Sequence, residues 1–162
     1  MSLQKPHPLW TTSNTNAFET NKSVVVAKFL SGRYPTDWLC RKWSKENSSG
    51  FCVLCPGKNI PGDIKHLLLD CSALEDKRTI VHDYWEHKTQ ENINLKSLIQ
   101  IMLQKPHKEL LQFLLDPSTV PLVISGCQNN LFTLNDIFPL TKTFCYGLHR
   151  RRLQLIGRFN TL

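Results

Sequence analysis

Cys52, Cys55, His66 and Cys71 fall within twenty residues with the spacing C-x2-C-x10-H-x4-C. Three thiols and an imidazole in that order are ligands for zinc, which binds four such groups tetrahedrally, at about 2.3 Å from sulfur and about 2.0–2.1 Å from nitrogen. A C-x2-C turn aims two sulfurs at one ion. The ten-residue loop that follows contains Pro56, Gly57, Pro61 and Gly62, which suits a chain doubling back to deliver the second pair. On one straight helix His66 and Cys71 would point about 140° apart, so a helical turn through Leu67 to Leu69 has to break before Cys71. Ser72 and Glu75 match a Ser-x-x-Glu capping box, with Asp76 also in the first turn, and this places a helix start at that break. A Cys3His set fills all four positions and leaves none for an activated water. The spacing therefore predicts one structural zinc ion and no catalytic one.

The other reactive side chains form no second constellation. Cys40, Cys127 and Cys145 read as small buried apolar residues. His82 and His87 lie five apart on a helix, off a common face, and read as surface or satisfied core histidines. A metal-dependent nuclease needs clustered carboxylates, but Asp83, Glu86, Glu91, Glu109, Asp116 and Asp136 are scattered. No enzyme is expected here.

The elements that position the ligands read as helices. Residues 1–22 are polar and turn-rich and read as an extended or poorly ordered lead-in. From Ser23, the residues Val25, Val26, Phe29 and Leu30 recur at helical spacing up to Gly32, although three adjacent valines also suit a strand. Thr36 or Asp37 caps a short helix carrying Trp38, Leu39 and Trp43. Beyond the cysteines, Leu74, Val81, Tyr84 and Trp85 give one helix its apolar side, and Leu95, Leu98, Ile99, Met102 and Leu103 give another. A helix through Leu110 to Leu115 follows Pro106, a short one lies around Val120 to Ser125, and a last one runs from about Leu140 to Ile156. Strand-type alternation and internal repeats are absent. The fold class is mainly α: a small helical domain organised around one zinc site, with a zinc-binding region at 23–90 and a C-terminal helical region at 91–162.

The 162 residues carry 20 Lys plus Arg against 13 Asp plus Glu, a formal charge of +7. Such a balance favours a polyanionic partner. The excess is zero over residues 51–71 and lies before Ser48 and after Phe138. Neither a membrane-spanning run nor a signal peptide is legible, so a membrane is not an expected partner and the six cysteines are expected in a reducing, intracellular compartment. Two basic clusters are candidate contacts for RNA or DNA. In the first, Arg33, Arg41, Lys42 and Lys45 interleave with Tyr34, Trp38 and Trp43, pairing phosphate-attracting charge with rings that either stack on bases or pack in the core. In the second, on the last helix, Phe144, Cys145, Leu148, Leu155 and Phe159 form an apolar arc. His149, Arg150 and Arg151 lie away from its centre, whereas Arg152 projects into it, calling for an acid or a partner domain.

Three segments carry a family resemblance: Leu30-Ser-Gly-Arg-Tyr-Pro-Thr-Asp-Trp-Leu-Cys-Arg41, the cluster within Phe51–Cys71, and Phe138 to Arg152 with its Leu-His-Arg-Arg-Arg ending. Together they resemble the C-terminal region of non-LTR retrotransposon reverse transcriptases, over about residues 8–160. The resemblance implies that Cys52, Cys55, His66 and Cys71 are the zinc ligands. It further implies a module that holds template RNA or target DNA beside the polymerase domain of the same element protein, in a cytoplasmic ribonucleoprotein or the nucleus. The chain departs from the full polyprotein in having no Asp-Asp pair of polymerase type. A module that packs on the polymerase thumb without nucleic-acid affinity is the alternative.

Overall fold

The computed structural model describes residues 6–11, 16–43 and 49–157. The elements are α1 (Pro8–Thr11), α2 (Ala17–Leu30), α3 (Asp37–Trp43), a π-helical turn (His66–Asp70), a 3-10 turn (Ser72–Leu74), α4 (Glu75–Lys88), α5 (Ile93–Leu103), α6 (His107–Leu115), a second 3-10 turn (Pro117–Thr119), α7 (Pro121–Gln128) and α8 (Leu134–Leu155). Among the described residues there is no strand, and one isolated antiparallel bridge joins Phe51 to Pro61. The mainly α class is as the sequence predicts.

The long C-terminal helix organises the packing. Helix α8 lies against α2, α4 and α6 and buries Ile137, Phe138, Leu140, Phe144, Cys145 and Leu148. Fully burying such side chains is worth roughly 1.5–3 kcal/mol each. On α4, Trp85 is buried against Phe144 with ring centroids 5.3 Å apart, and its indole N–H donates to the Leu140 carbonyl at 3.0 Å. Both regions expected from the sequence share this core, since Val26 and Phe29 of α2 join the same buried cluster as Leu98, Phe113 and Leu148.

Several boundaries differ from the sequence reading, each for a local reason. The lead-in is not extended throughout. Asn16 caps α2 by accepting from the Glu19 N–H at 2.8 Å, so the helix begins six residues before Ser23, and Leu9 of α1 is buried. The strand alternative for the valines falls away because Val25 and Val26 both face the core from this helix. Likewise α8 begins at Leu134, not Leu140. The Asp136 carboxylate reaches back to the Thr133 N–H at 2.7 Å and hydroxyl at 2.8 Å, which starts the helix early and carries it through Pro139. A proline there gives up one backbone hydrogen bond, and burial of Ile137, Phe138 and Leu140 around it offsets the loss. Thr36 is the cap of α3, accepting from the Leu39 N–H at 3.2 Å.

Candidate metal centre

The two ligand pairs arrive on a folded loop and a helical turn. Residues 50–62 double back, with Cys52 N–H donating to the Ile60 carbonyl at 2.8 Å and Gly62 N–H to Gly50 at 3.0 Å. Within this loop Gly50 and Gly57 have positive φ, and Cys55 N–H closes the C-x2-C turn on the Cys52 carbonyl at 3.1 Å. Gly62 is a close approach: a Cβ there would lie 2.8 Å from the Asp37 carboxylate.

The second pair solves the angular problem differently from the sequence reading. Instead of an α turn that breaks, His66–Asp70 forms a π turn closed by the Cys71 N–H donating to the His66 carbonyl at 2.7 Å. Closing on the fifth residue widens the turn and brings His66 and Cys71 onto one side. Cys71 itself is extended (φ −66°, ψ 111°), and Asp63 starts the turn by accepting from the His66 N–H at 2.7 Å. The expected capping box does not form. The Glu75 N–H binds the Ser72 carbonyl, the Ser72 hydroxyl lies 3.8 Å from Cys55 Sγ, and the Glu75 carboxylate is held by Arg78.

Cys52, Cys55, His66 and Cys71 come together with their ligand atoms all within 4.8 Å of one another, and all four are buried. Cys55 and Cys71 Sγ are 3.7 Å apart, Cys52 and Cys71 Sγ 3.9 Å, and Cys55 Sγ and His66 Nε2 3.6 Å. A tetrahedral ion bound to sulfur at about 2.3 Å requires S···S edges near 3.8 Å, whereas a disulfide requires about 2.05 Å. All these cysteines are free thiols. Burial, then the neighbouring thiols, push Cys71 up to about 12, and burial raises Cys52. Burial would raise Cys55 too, but hydrogen bonds from Ser72 and Cys71 outweigh it and lower that thiol. Three thiolates this close repel strongly, and a cation among them is what would hold them deprotonated together. The four residues can hold a metal ion.

Arg78 supports the centre and gave no signal of doing so in the sequence, where it reads as one more base on α4. Its guanidinium is buried, donates to the Cys71 carbonyl at 2.5 Å and pairs with Glu75 at 2.6 Å. It thereby fixes the backbone that carries the last ligand. From the other side, Asp37 accepts from the Val53 N–H of the C-x2-C turn at 3.3 Å and pairs with Arg152 at 3.0 Å. The acid that Arg152 calls for is therefore within the chain.

The expected nucleic-acid residues have mixed surroundings. Arg33, Arg41 and Lys42 are exposed, and Trp38 is 39% exposed with the Lys42 ammonium 5.8 Å from its ring. The Trp43 side chain, Lys45 and Phe159 lie outside the described residues. On α8, Arg150 is exposed, but Arg151 pairs with Asp76 at 2.7 Å. His149 Nδ1 is 2.9 Å from the Tyr34 hydroxyl, and burial, then Lys28, Arg152 and Arg150, hold it down to about 4. It is neutral at pH 7 and supplies no charge to a phosphate. Since its unfolded value is 6.5, only the unfolded chain takes up this proton between about pH 6.5 and 4, so stability falls on acidification through that window. After discounting for partial exposure, the loss is about 1–3 kcal/mol. Urea midpoints from pH 7 to 4.5 measure it, and His149→Gln should flatten that part of the slope; an equal slope in the variant removes His149 as the cause.

Cys145 is a fully buried thiol pushed up to about 12 by burial, while Cys40 and Cys127 are half-buried. Among the described residues no helix is long and apolar enough to cross a membrane. Comparison of the chain with protein-family models, curated proteins and solved structures finds no match.

Proposed function

We propose that the chain is a non-catalytic, zinc-stabilised nucleic-acid-binding module, of the kind found in the C-terminal part of a non-LTR retrotransposon reverse transcriptase. The donor set supports zinc: three sulfurs and one imidazole nitrogen, with edges of 3.6–3.9 Å, suit a tetrahedral ion. Because the protein would fill the whole coordination shell, the ion's part is to hold the fold. Contacts with a polyanion fall to side chains outside it.

The observation that carries the binding reading is the surface of α3. Arg41 packs on the base of the ligand loop, its guanidinium donating to the Ser49 carbonyl at 3.0 Å, while Lys42 sits over the half-open Trp38 ring and Arg33 is exposed in the turn that precedes α3. Cations beside an accessible ring suit phosphate and base together. RNA or DNA binding followed across salt concentration tests this. Neutralising three to five phosphates gives a log-log slope of about −2 to −4, and replacing Arg33, Arg41 and Lys42 by glutamine lowers its magnitude by about 2. Flat affinity, or no binding at low salt, would instead favour a module that only packs on its polymerase.

A further inference from the structure

The imidazole of the metal centre has one contact left unmade. His66 Nε2 faces the thiol cluster, 3.6 Å from Cys55 Sγ, and is the nitrogen that would take the ion. A neutral ring that gives one nitrogen to a metal carries its proton on the other, so Nδ1 has to be a donor. That atom is buried and has no hydrogen-bond partner. Leaving a buried N–H unpaired is costly, and metal-ligating histidines give theirs to a carboxylate, a backbone carbonyl or water.

Burial dominates the surroundings of the ring, and three carboxylates act on it, in falling order Asp70, Asp63 and Asp37. Two of them are committed elsewhere. Asp70 pairs with Lys65 at 3.3 Å and with His107 at 3.4 Å, one oxygen to each, and Asp37 serves Arg152 and the Val53 N–H. Asp63 is half-buried and has an oxygen to spare: Oδ1 accepts from the His66 backbone N–H at 2.7 Å, and Oδ2 bonds nothing among the described residues. Its position favours it too. The Leu67 N–H donates to the Asp63 carbonyl at 3.0 Å, so the helical turn opens at Asp63 and His66 stands three residues on. That is the span over which, in a capping box, a side chain reaches back to the residue that opens the helix.

We propose that Asp63 is a positioning residue of the metal centre: its Oδ2 receives the His66 Nδ1–H when Nε2 holds the ion, which fixes the tautomer and direction of the ring. The proposal rests on the zinc reading above and adds to it a residue outside the four ligands. One carboxylate then opens the turn through the backbone N–H and aims the ligand through the ring.

Asp63→Asn separates these roles on the full chain. Asparagine opens helices as well as aspartate does, so its amide oxygen keeps the backbone contact, while its amide nitrogen is a donor and cannot receive a second N–H. Competition for zinc with a chromophoric chelator should show affinity lowered about 10–100-fold with helicity intact. Asp70→Asn removes the same charge beside the ring and should stay within about threefold of the native chain. In the zinc-loaded native chain the His66 Nδ1–H should be a protected, slowly exchanging proton by NMR, and in Asp63→Asn it should exchange at least about tenfold faster. A residue that only opened the turn would move neither readout. The proposal is overturned if Asp63→Asn binds zinc within about threefold of the native chain, if Asp70→Asn loses as much, or if the native Nδ1–H exchanges as fast as an exposed imidazole, a measurement that needs no variant to fold. A native chain that binds no zinc removes the metal reading as well; zinc binding that Asp63→Asn leaves unchanged removes this proposal alone.

Discussion

Stripping the metal from the loaded protein is expected to unfold the whole helical core, not only the cysteine-rich centre. Structural zinc in finger peptides contributes about 10–16 kcal/mol, as much as the ~5–15 kcal/mol by which an entire domain is stable. The location of the centre sets how far the loss spreads. Cys71 is fully buried, as are Leu68 before it and Leu74 after it, and the turns bearing them pack on α6 and α8. Without an ion, Cys52, Cys55 and Cys71 revert to thiols, and the four ligand side chains then meet across the loop of residues 50–62 and the π turn only through one imidazole and a few weak S–H contacts. The helices that use Leu68 and Leu74 as part of their floor lose it together with the ligands. Far-UV circular dichroism on chelator titration should therefore show most of the helicity lost in one transition, with proteolysis reaching α8. Cys71→Ser should behave as the stripped protein and the half-buried Cys40→Ser as the loaded one. Retained helicity and protease resistance after metal removal would leave the cluster without a folding role.

The ligand set was legible in the sequence because it depends on residue type and spacing, which survive without coordinates. The turn that presents it was not. A spacing of five between His66 and Cys71 excludes a straight α-helix, but a broken turn and a π turn satisfy it equally, and only the Cys71 to His66 hydrogen bond decides between them. Ser72 and Glu75 show the complementary failure. The capping-box pattern is local, yet Arg78, three residues on, outcompetes the backbone for the Glu75 carboxylate. Helix starts at Asn16 and Thr133 were missed for the opposite reason, since polar residues that read as lead-in or loop are caps once the following turn is helical. The α3 cations followed from charge and ring interleaving along one segment.

Replacing Arg152 by methionine is expected to cost about 3–5 kcal/mol, the range for removing one partner of a buried ion pair, and to lower the melting temperature by about 10 °C. Side-chain exposure is 5% for Arg152 and 13% for Asp37, so neither charge has water to fall back on. The guanidinium also lies 6.0 Å from the centre of the buried Tyr34 ring. A lysine there would supply the charge without the planar donor set, and Arg152→Lys should recover less than half of the loss. Asp37 makes the effect reach the metal. Its other oxygen accepts from the Val53 N–H of the C-x2-C turn, and its carboxylate packs on Gly62 where that loop closes. Freed from Arg152, the carboxylate would turn toward solvent and release that turn, and loss of a supporting contact of this kind lowers metal affinity about 10–100-fold. Urea denaturation of the metal-loaded protein reads the first effect and competition with a chromophoric chelator reads the second. Adding Asp37→Asn to Arg152→Met removes the stranded charge and should restore part of the stability but not the metal affinity, because the amide lacks the carboxylate's strength as an acceptor for Val53. A cost near that of an exposed pair, below about 1 kcal/mol, would mean that apolar packing alone joins α8 to the ligand loop. A full cost with both effects together would make Asp37 and Arg152 the strut through which the metal centre fixes the helix that carries Arg150.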